Sequence, residues 1–358
     1  MLHYTELPAE VLNLLRRGVV IPAMPLALDN KRQFLPINQR ALVRYYLDAG
    51  ARGIAVGVHS TQFEIRNPEI ALFEPVLSFV SKEIDAWSKI HHQSVIKIAG
   101  ICGQTQQTIN EANFAVRQGY HAGLLSLSAW KGAGVTEMIA HCRTIAQIIP
   151  VIGFYLQPAA GGRLLSREFW REFAKIDNVI AVKIAPFNRY QTLDVIHGVV
   201  ESGRSDEITL YTGNDDNIVI DLLTAYPITT SDGVKVVRIK GGLLGHWSVW
   251  TQKAVQLLEQ LHQLSSCDKI PAEMLALNTK ITDANAAFFD AANNFAGCIP
   301  GIHEVLRRQK LLPGTWCLNP DETLSPGQSE EIDRVYAAYP ELNDDEFVAA
   351  NRDRWFAD

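Results

Sequence analysis

Cysteine is scarce and scattered in this chain, with five residues at 102, 142, 267, 298 and 317 and no Cys-x-x-Cys among them. An odd number at wide spacing argues against a disulfide framework or a Cys-rich zinc site and suits a reducing compartment. Long hydrophobic runs are missing too. Nothing approaches the roughly 20 apolar residues that a membrane helix needs. The first dozen residues lack the basic start and apolar core of a signal peptide, so the expectation is a cytoplasmic protein. Neither sign of charge dominates: 33 Lys and Arg stand against 39 Asp and Glu, a net charge of −6. That balance gives no electrostatic case for nucleic acid or an anionic membrane as partner. No internal repeat beyond a strand–helix unit and no low-complexity tract is evident. What remains is a chain of 358 residues, 47% hydrophobic and 20% charged. That is the composition of a globular protein, long enough for one large α/β barrel with an appendage or for two ordinary domains.

Short apolar runs alternate with amphipathic stretches through the first two-thirds. The strand-like runs begin with GVVIPA, GIAVG and VIKIA and continue with Ala122–Leu127, VIGFY, VIAVKI and ITLYT. Ile228–Ser231 reads as the eighth. Helix-like segments separate them, several closed by glycines such as Gly50 and Gly119. The runs are continuous rather than alternating, as a parallel sheet covered on both faces requires. Eight such units in about 260 residues predict a (β/α)8 TIM barrel. The rival is a doubly wound sheet, which announces itself with a glycine-rich turn after the first strand; here MPLALD follows it instead. After Leu264 the strand signal stops. The expected division is residues 1–264 as the barrel with its N-terminal extension and 265–358 as a C-terminal α-helical extension packed on it. Helices are expected over 272–292, 329–339 and 344–356.

Barrel enzymes work at the C-terminal ends of their strands. The polar residues expected there are His59, Ser60, Thr61, Trp130, Lys131, Tyr155, Lys183, Asn214, Asp215 and Asp216. Lys183 is the most informative, because it interrupts VIAVKIAP. Lysine is rarely buried without a partner, and burial favours its neutral amine, the form that attacks a carbonyl. The competing reading is a lysine turned outward and paired with a carboxylate. Tyr155 ends the preceding strand and would relay protons if it faced the same way; alone it reads as a core tyrosine. Ser60 and Thr61 either hold a carboxylate or simply make a turn. GNDDN (213–217) reads as helix capping rather than a calcium loop, and KGGLLG (240–245) as a flexible loop. Of the histidines, His59 and His246 are expected near the site. Cys102 follows the third strand, either facing the mouth or as a buried hydrophobe.

Four stretches together resemble the dihydrodipicolinate synthase / N-acetylneuraminate lyase family of class I aldolases: RGVVIPAMPLALDN, DAGARGIAVGVHST, PVIGFYLQP and NVIAVKIA. Tyr155 and Lys183 stand 28 residues apart, as in that family. The resemblance runs from about Gly18 to about Leu264. It implies that Lys183 forms an imine with pyruvate or a related 2-oxo acid and that Tyr155 and Thr61 carry protons. Ser60 and Thr61 would bind the carboxylate. No cofactor and no metal is implied, and a homotetramer or homodimer is.

The chain departs from the family in three places. Gln62 and Phe63 replace the usual Gly-Glu. Trp130 stands where a tyrosine of a neighbouring subunit joins the proton relay, and an indole cannot relay. Ala160 stands where lysine-pathway synthases carry the arginine that grips aspartate semialdehyde, with Arg163 three residues on as the one substitute. These departures imply a lyase, aldolase or dehydratase, whose partner substrate is not aspartate semialdehyde. The alternatives are a degenerate barrel that binds keto acids or acts as a scaffold, and a phosphate-binding barrel enzyme.

Overall fold

The computed structural model describes residues 1–357, apart from the side chain of Ala160. The chain forms α1 (Ala9–Arg17), β1 (Val20–Pro22), α2 (Pro36–Asp48), β2 (Gly53–Val56), α3 (Phe73–His91) and β3 (Ile96–Ile101). It continues with α4 (Thr105–Arg117), β4 (Ala122–Leu125), α5 (Val135–Ala146), β5 (Val151–Leu156), α6 (Arg167–Ala174), β6 (Val179–Ala185) and α7 (Arg189–Glu201). Then come β7 (Thr209–Thr212), α8 (Ile218–Leu223), β8 (Ala225–Thr230), β9 (Gly233–Leu244) and α9 (Thr251–Ser265). The tail holds α10 (Glu273–Phe288), α11 (Cys298–Arg308), α12 (Gln328–Ala338) and α13 (Asp345–Phe356). Local chemistry sets several starts. Ser166 Oγ accepts the N–H of Phe169 to cap α6, and Asn188 accepts those of Tyr190 and Gln191 to cap α7.

Eight parallel strands run β1-β9-β7-β6-β5-β4-β3-β2. A parallel bridge between Ala23 and Ala55 closes the ring. This is a TIM barrel with a C-terminal helical extension, as the strand count implied. Its bore is filled by inward side chains such as Ile98, Leu124, Ile152 and Leu243. Leu7, Val11 and Leu15 of the N-terminal segment join that same cluster and plug the bottom. The Tyr211 hydroxyl donates to Leu15 O at 2.8 Å and fixes the plug. A second, larger apolar layer separates the strands from the helices.

The eighth strand differs from expectation. The apolar run around Ile228 is β8, which pairs antiparallel with the first half of β9 as a hairpin outside the barrel. The barrel strand is the second half of β9, where Tyr211 faces Gly241 and Val20 faces Gly242. Those glycines made it read as a loop. They are there for space: a Cβ on Gly241 would stand 2.6 Å from the Tyr211 ring, and one on Gly242 2.5 Å from that of Trp247.

The tail also differs. α11 was not anticipated, because Pro300 reads as a break; it lies in the helix's first turn, where proline is tolerated. α13 docks through Trp355, whose indole N–H donates to Asp48 Oδ2 at 2.6 Å. The segment between α10 and α11, with the start of α11, folds over the barrel mouth.

Candidate active site

At the C-terminal ends of the strands lies a cleft of about 710 Å³, its open mouth included. Its floor carries Lys183, Asp215, His59 and Ser60. Lys183 points into the bore from β6 and is 7% exposed. Its Nζ lies 4.4 Å from the centre of the Phe154 ring, across on β5. Among the described residues no carboxylate comes within ion-pair distance of it. Burial pushes the amine's pKa down, and the charge of Asp215 works against that shift. Gly213, just after β7, makes room for the side chain, since a Cβ there would meet Lys183 Cε at 2.6 Å.

Asp215 is buried and accepts the backbone N–H of His246 through Oδ1 at 2.8 Å. Burial pushes its carboxyl pKa up; that N–H and Lys183 pull it back. The loop carrying it is held from below by Asp221, which accepts from Thr212 Oγ1 at 2.7 Å and from Asn214 Nδ2 at 2.8 Å and pairs with Arg189 at 2.7 Å. The GNDDN stretch is therefore a rigid turn that presents one carboxylate to the cleft. His59 is pushed down to about 4 by burial and then by Lys183, so its imidazole is neutral at pH 7. Among the described residues no group of three or more His, Cys, Asp or Glu could hold a metal ion.

The other sequence-predicted residues fall in different places. Ser60 lines the cleft, with its Oγ proton donated to Ala23 O at 2.8 Å. Thr61 lies beneath the surface, donating to Met24 O at 2.7 Å and accepting from Gly57 N at 3.0 Å. It shapes the turn and does not line the cleft. An Arg66–Glu111 pair braces the same turn, with Arg66 Nη2 also donating to Gly57 O at 3.1 Å.

Tyr155 faces away from the cleft. Its hydroxyl accepts the N–H of Leu165 at 3.2 Å, and its ring packs 5.5 Å from that of Trp170. Burial pushes the phenol up. The physical reason is register. Val151 lies opposite Val179, but Ile152 lies opposite Ala181, so β6 carries one extra residue. That irregularity pairs Lys183 with Phe154 and turns Tyr155 to the other face.

Trp130 is buried elsewhere, its indole N–H on Gly103 O at 3.2 Å and its ring against His141. Arg163 binds the carbonyls of Trp130 and Ala133 rather than the cleft. The side chain of Ala160 lies outside the described residues; Ala159 and Gln157 line the wall. His246 contributes its backbone N–H, while its ring turns to Asn285. Cys102 does not line the cleft, and its thiol is pushed up to about 11 by burial.

Asp215 was expected at a strand end but was read only as part of a capping turn, and nothing in the sequence hinted at the tail's share. Phe289, Phe295, Cys298 and Ile302 all line the cleft. The strand-end rule pointed at Asp215; nothing in the sequence signals contacts made from a hundred residues away.

No protein-family model matches the chain. A 4-hydroxy-tetrahydrodipicolinate synthase from Methanococcoides burtonii is 26% identical over 169 residues, 44% of this chain. The match spans about half, 54%, of that protein's length. Among solved structures, dihydrodipicolinate synthase from Aquifex aeolicus superposes with a TM-score of 0.72 at 16% identity, covering 90% of this chain and 98% of that one. N-acetylneuraminate lyase from Fusobacterium nucleatum gives 0.69 at 16% identity over 90% and 99%. A prophage protein of the dihydrodipicolinic acid synthase family from E. coli K12, in complex with pyruvate, gives 0.71 at 17% identity over 91% and 98%. In fold over nine-tenths of its length, and in sequence over less than half, the chain resembles the dihydrodipicolinate synthase / N-acetylneuraminate lyase family as a divergent relative.

Proposed function

We propose that this protein is a class I lyase in which Lys183 forms a Schiff base with pyruvate or a related 2-oxo acid. The observation that carries this reading is a buried lysine amine, outside any ion pair, opening into a cleft at the catalytic end of a barrel. Such an amine has its neutral form favoured by burial and is poised to attack a ketone. Loss of water then leaves an iminium that accepts electrons from the adjacent carbon. The turn bearing Ser60 receives the substrate carboxylate. Proton transfer falls to Asp215, since Tyr155 is turned away. A buried carboxyl with a raised pKa can take a proton from the carbon next to the iminium and return it. Aldol cleavage, aldol addition or dehydration all pass through this intermediate. The partner is not aspartate semialdehyde: among the described residues lining the cleft there is no arginine to hold a second carboxylate. The family likeness supports a homotetramer or homodimer. Among the described residues no helix is long and apolar enough to cross a membrane.

Sodium borohydride with pyruvate and a panel of 2-oxo acids tests the reading. A reduced adduct on Lys183, found by mass spectrometry and absent from Lys183→Ala, is expected. No adduct with any member of the panel would overturn it. A second reading is favoured by the missing phenol, with Phe154 facing the amine: a barrel that captures a 2-oxo acid without turning it over. It predicts the adduct but no exchange of C3 protons of pyruvate in deuterium oxide, whereas the lyase predicts both.

A further inference from the structure

The floor of the cleft is polar, but its mouth is not. Leu156 at the end of β5 and Phe289, Phe295 and Ile302 from the tail all line it. Phe289 and Ile302 are buried, and Phe295 packs edge-on against Phe187 with ring centres 5.8 Å apart. The barrel makes room for this cover. A Cβ on Gly245 would stand 2.7 Å from Phe289 Cζ, so only glycine at that strand end lets the ring seat. Among the described residues that line the cleft, Lys183 is the one lysine and there is no arginine. Arg163 is spent on the carbonyls of Trp130 and Ala133, and Arg189 on Asp221 and Asp216. Among the described residues that line the cleft, Gln157 is the one polar side chain besides His59, Ser60, Lys183 and Asp215 of the floor. A carboxylate or phosphate seated at the mouth would lose its hydration without gaining a partner. A polyol would leave most of its hydroxyls unpaired.

We infer that the partner substrate is an uncharged aldehyde bearing a flat or branched apolar group, seated between Leu156 and the tail residues Phe289, Phe295 and Ile302. This rests on the imine reading above. In the synthetic direction C3 of the Lys183-bound pyruvate loses a proton to Asp215 and becomes an enamine. Its carbon attacks the aldehyde carbonyl, one C–C bond forms, and the carbonyl oxygen takes up the proton. Water then hydrolyses the iminium, which releases a 4-hydroxy-2-oxo acid and restores the amine. Pyruvate and aldehyde are the only atoms in the product, and no oxidant or reductant is needed.

The test uses the full chain with pyruvate and four aldehydes: benzaldehyde, isobutyraldehyde, glyceraldehyde and succinic semialdehyde. Product is read by mass spectrometry. Benzaldehyde or isobutyraldehyde is expected to give a kcat/KM at least about tenfold above the other two, the scale of apolar-pocket discrimination. Ile302→Arg is expected to narrow or reverse the gap to succinic semialdehyde, and Phe289→Ala to raise KM for benzaldehyde more than it lowers kcat. Equal or better turnover of glyceraldehyde or succinic semialdehyde by the unmodified protein overturns the inference. So does a pyruvate adduct on Lys183 with no product from either apolar aldehyde, and that outcome leaves the imine reading standing. Absence of any 2-oxo acid adduct is the separate result that removes the imine reading itself.

Discussion

Lys97 on β3 and Lys183 on β6 both interrupt runs of apolar residues, and both are almost fully buried, at 5% and 7% exposure. They differ in which side of the barrel wall they leave from. Lys97 turns outward to the helix layer, where α3 supplies Asp85 at 2.7 Å and Ser81 at 3.1 Å. It is a structural lysine, paired with a carboxylate and with two of its three donors used. Lys183 turns inward, where the bore supplies an aromatic face and no carboxylate within ion-pair distance. The comparison teaches that burial of a lysine in a strand carries little functional information by itself. What counts is whether the surroundings complete it, and an incompletely served amine is the one available for chemistry.

The comparison can be broken most directly at the lysines themselves. Lys183→Ala is expected to abolish the borohydride-trapped adduct and lower turnover by several orders of magnitude, with the fold retained by circular dichroism. Lys97→Met should leave adduct formation intact; a reversal of these two outcomes would sink the contrast. Next in size, Asp215→Asn is expected to lower kcat by about 10²–10⁴-fold while still permitting the adduct. Its amine should titrate lower than in the parent, because Asp215 is the group that raises it. The pH dependence of trapping reads this.

Each lysine also has a glycine beside it. Gly213→Ala would crowd Lys183 Cε, and a displacement of that order is expected to slow adduct formation by about 10–10²-fold. Gly119, with φ +75° and a would-be Cβ 3.2 Å from Lys97 Nζ, should respond differently. Gly119→Ala is expected to cost about 1 kcal/mol of stability by denaturant melts and leave trapping unchanged.

The pH dependence of stability sharpens the contrast further. The folded-state pKa of Lys183 lies below its ordinary value near 10.4. Between the two, the unfolded chain binds a proton that the native chain does not, so stability rises with pH across that window. Asp215 has the opposite sign: its raised carboxyl binds a proton the unfolded chain has lost, so its contribution falls as pH rises from about 4 toward its folded value. Melting curves of Lys183→Met and Asp215→Asn against the parent should remove one slope each. The smallest effect is on Lys97→Met, where a solvent-exposed Asp85 remains hydrated; a stability change within about 1 kcal/mol is expected.

Much of this was legible in the chain. VIAVKIA announced a buried strand with a lysine in it, and seven of the barrel strands declared themselves as unbroken apolar runs. The eighth did not, because its two glycines, there for the Tyr211 and Trp247 rings, carry no side chains to signal burial. Tyr155 was misplaced for a different reason. The offset of 28 that pairs Val151 with Val179 would, if it continued, set Tyr155 opposite Lys183 on one face. A single extra residue in β6 shifts the partner to Phe154, and no residue type marks it. Phe289 and Ile302 were illegible because their positions depend on how the whole tail docks, through contacts as remote as Trp355 on Asp48.

The N-terminal plug beneath the bore has a kinetic consequence. With Leu7, Val11 and Leu15 packed across the bottom and tail side chains lining the cleft at the top, Lys183 meets solvent from the side of the mouth. Whatever condenses with the amine must enter first and go deepest, and a second reactant can only queue above it. Steady-state analysis should therefore give a compulsory order of addition, with product competing against the deep reactant, which meets the same free amine, and not against the shallow one.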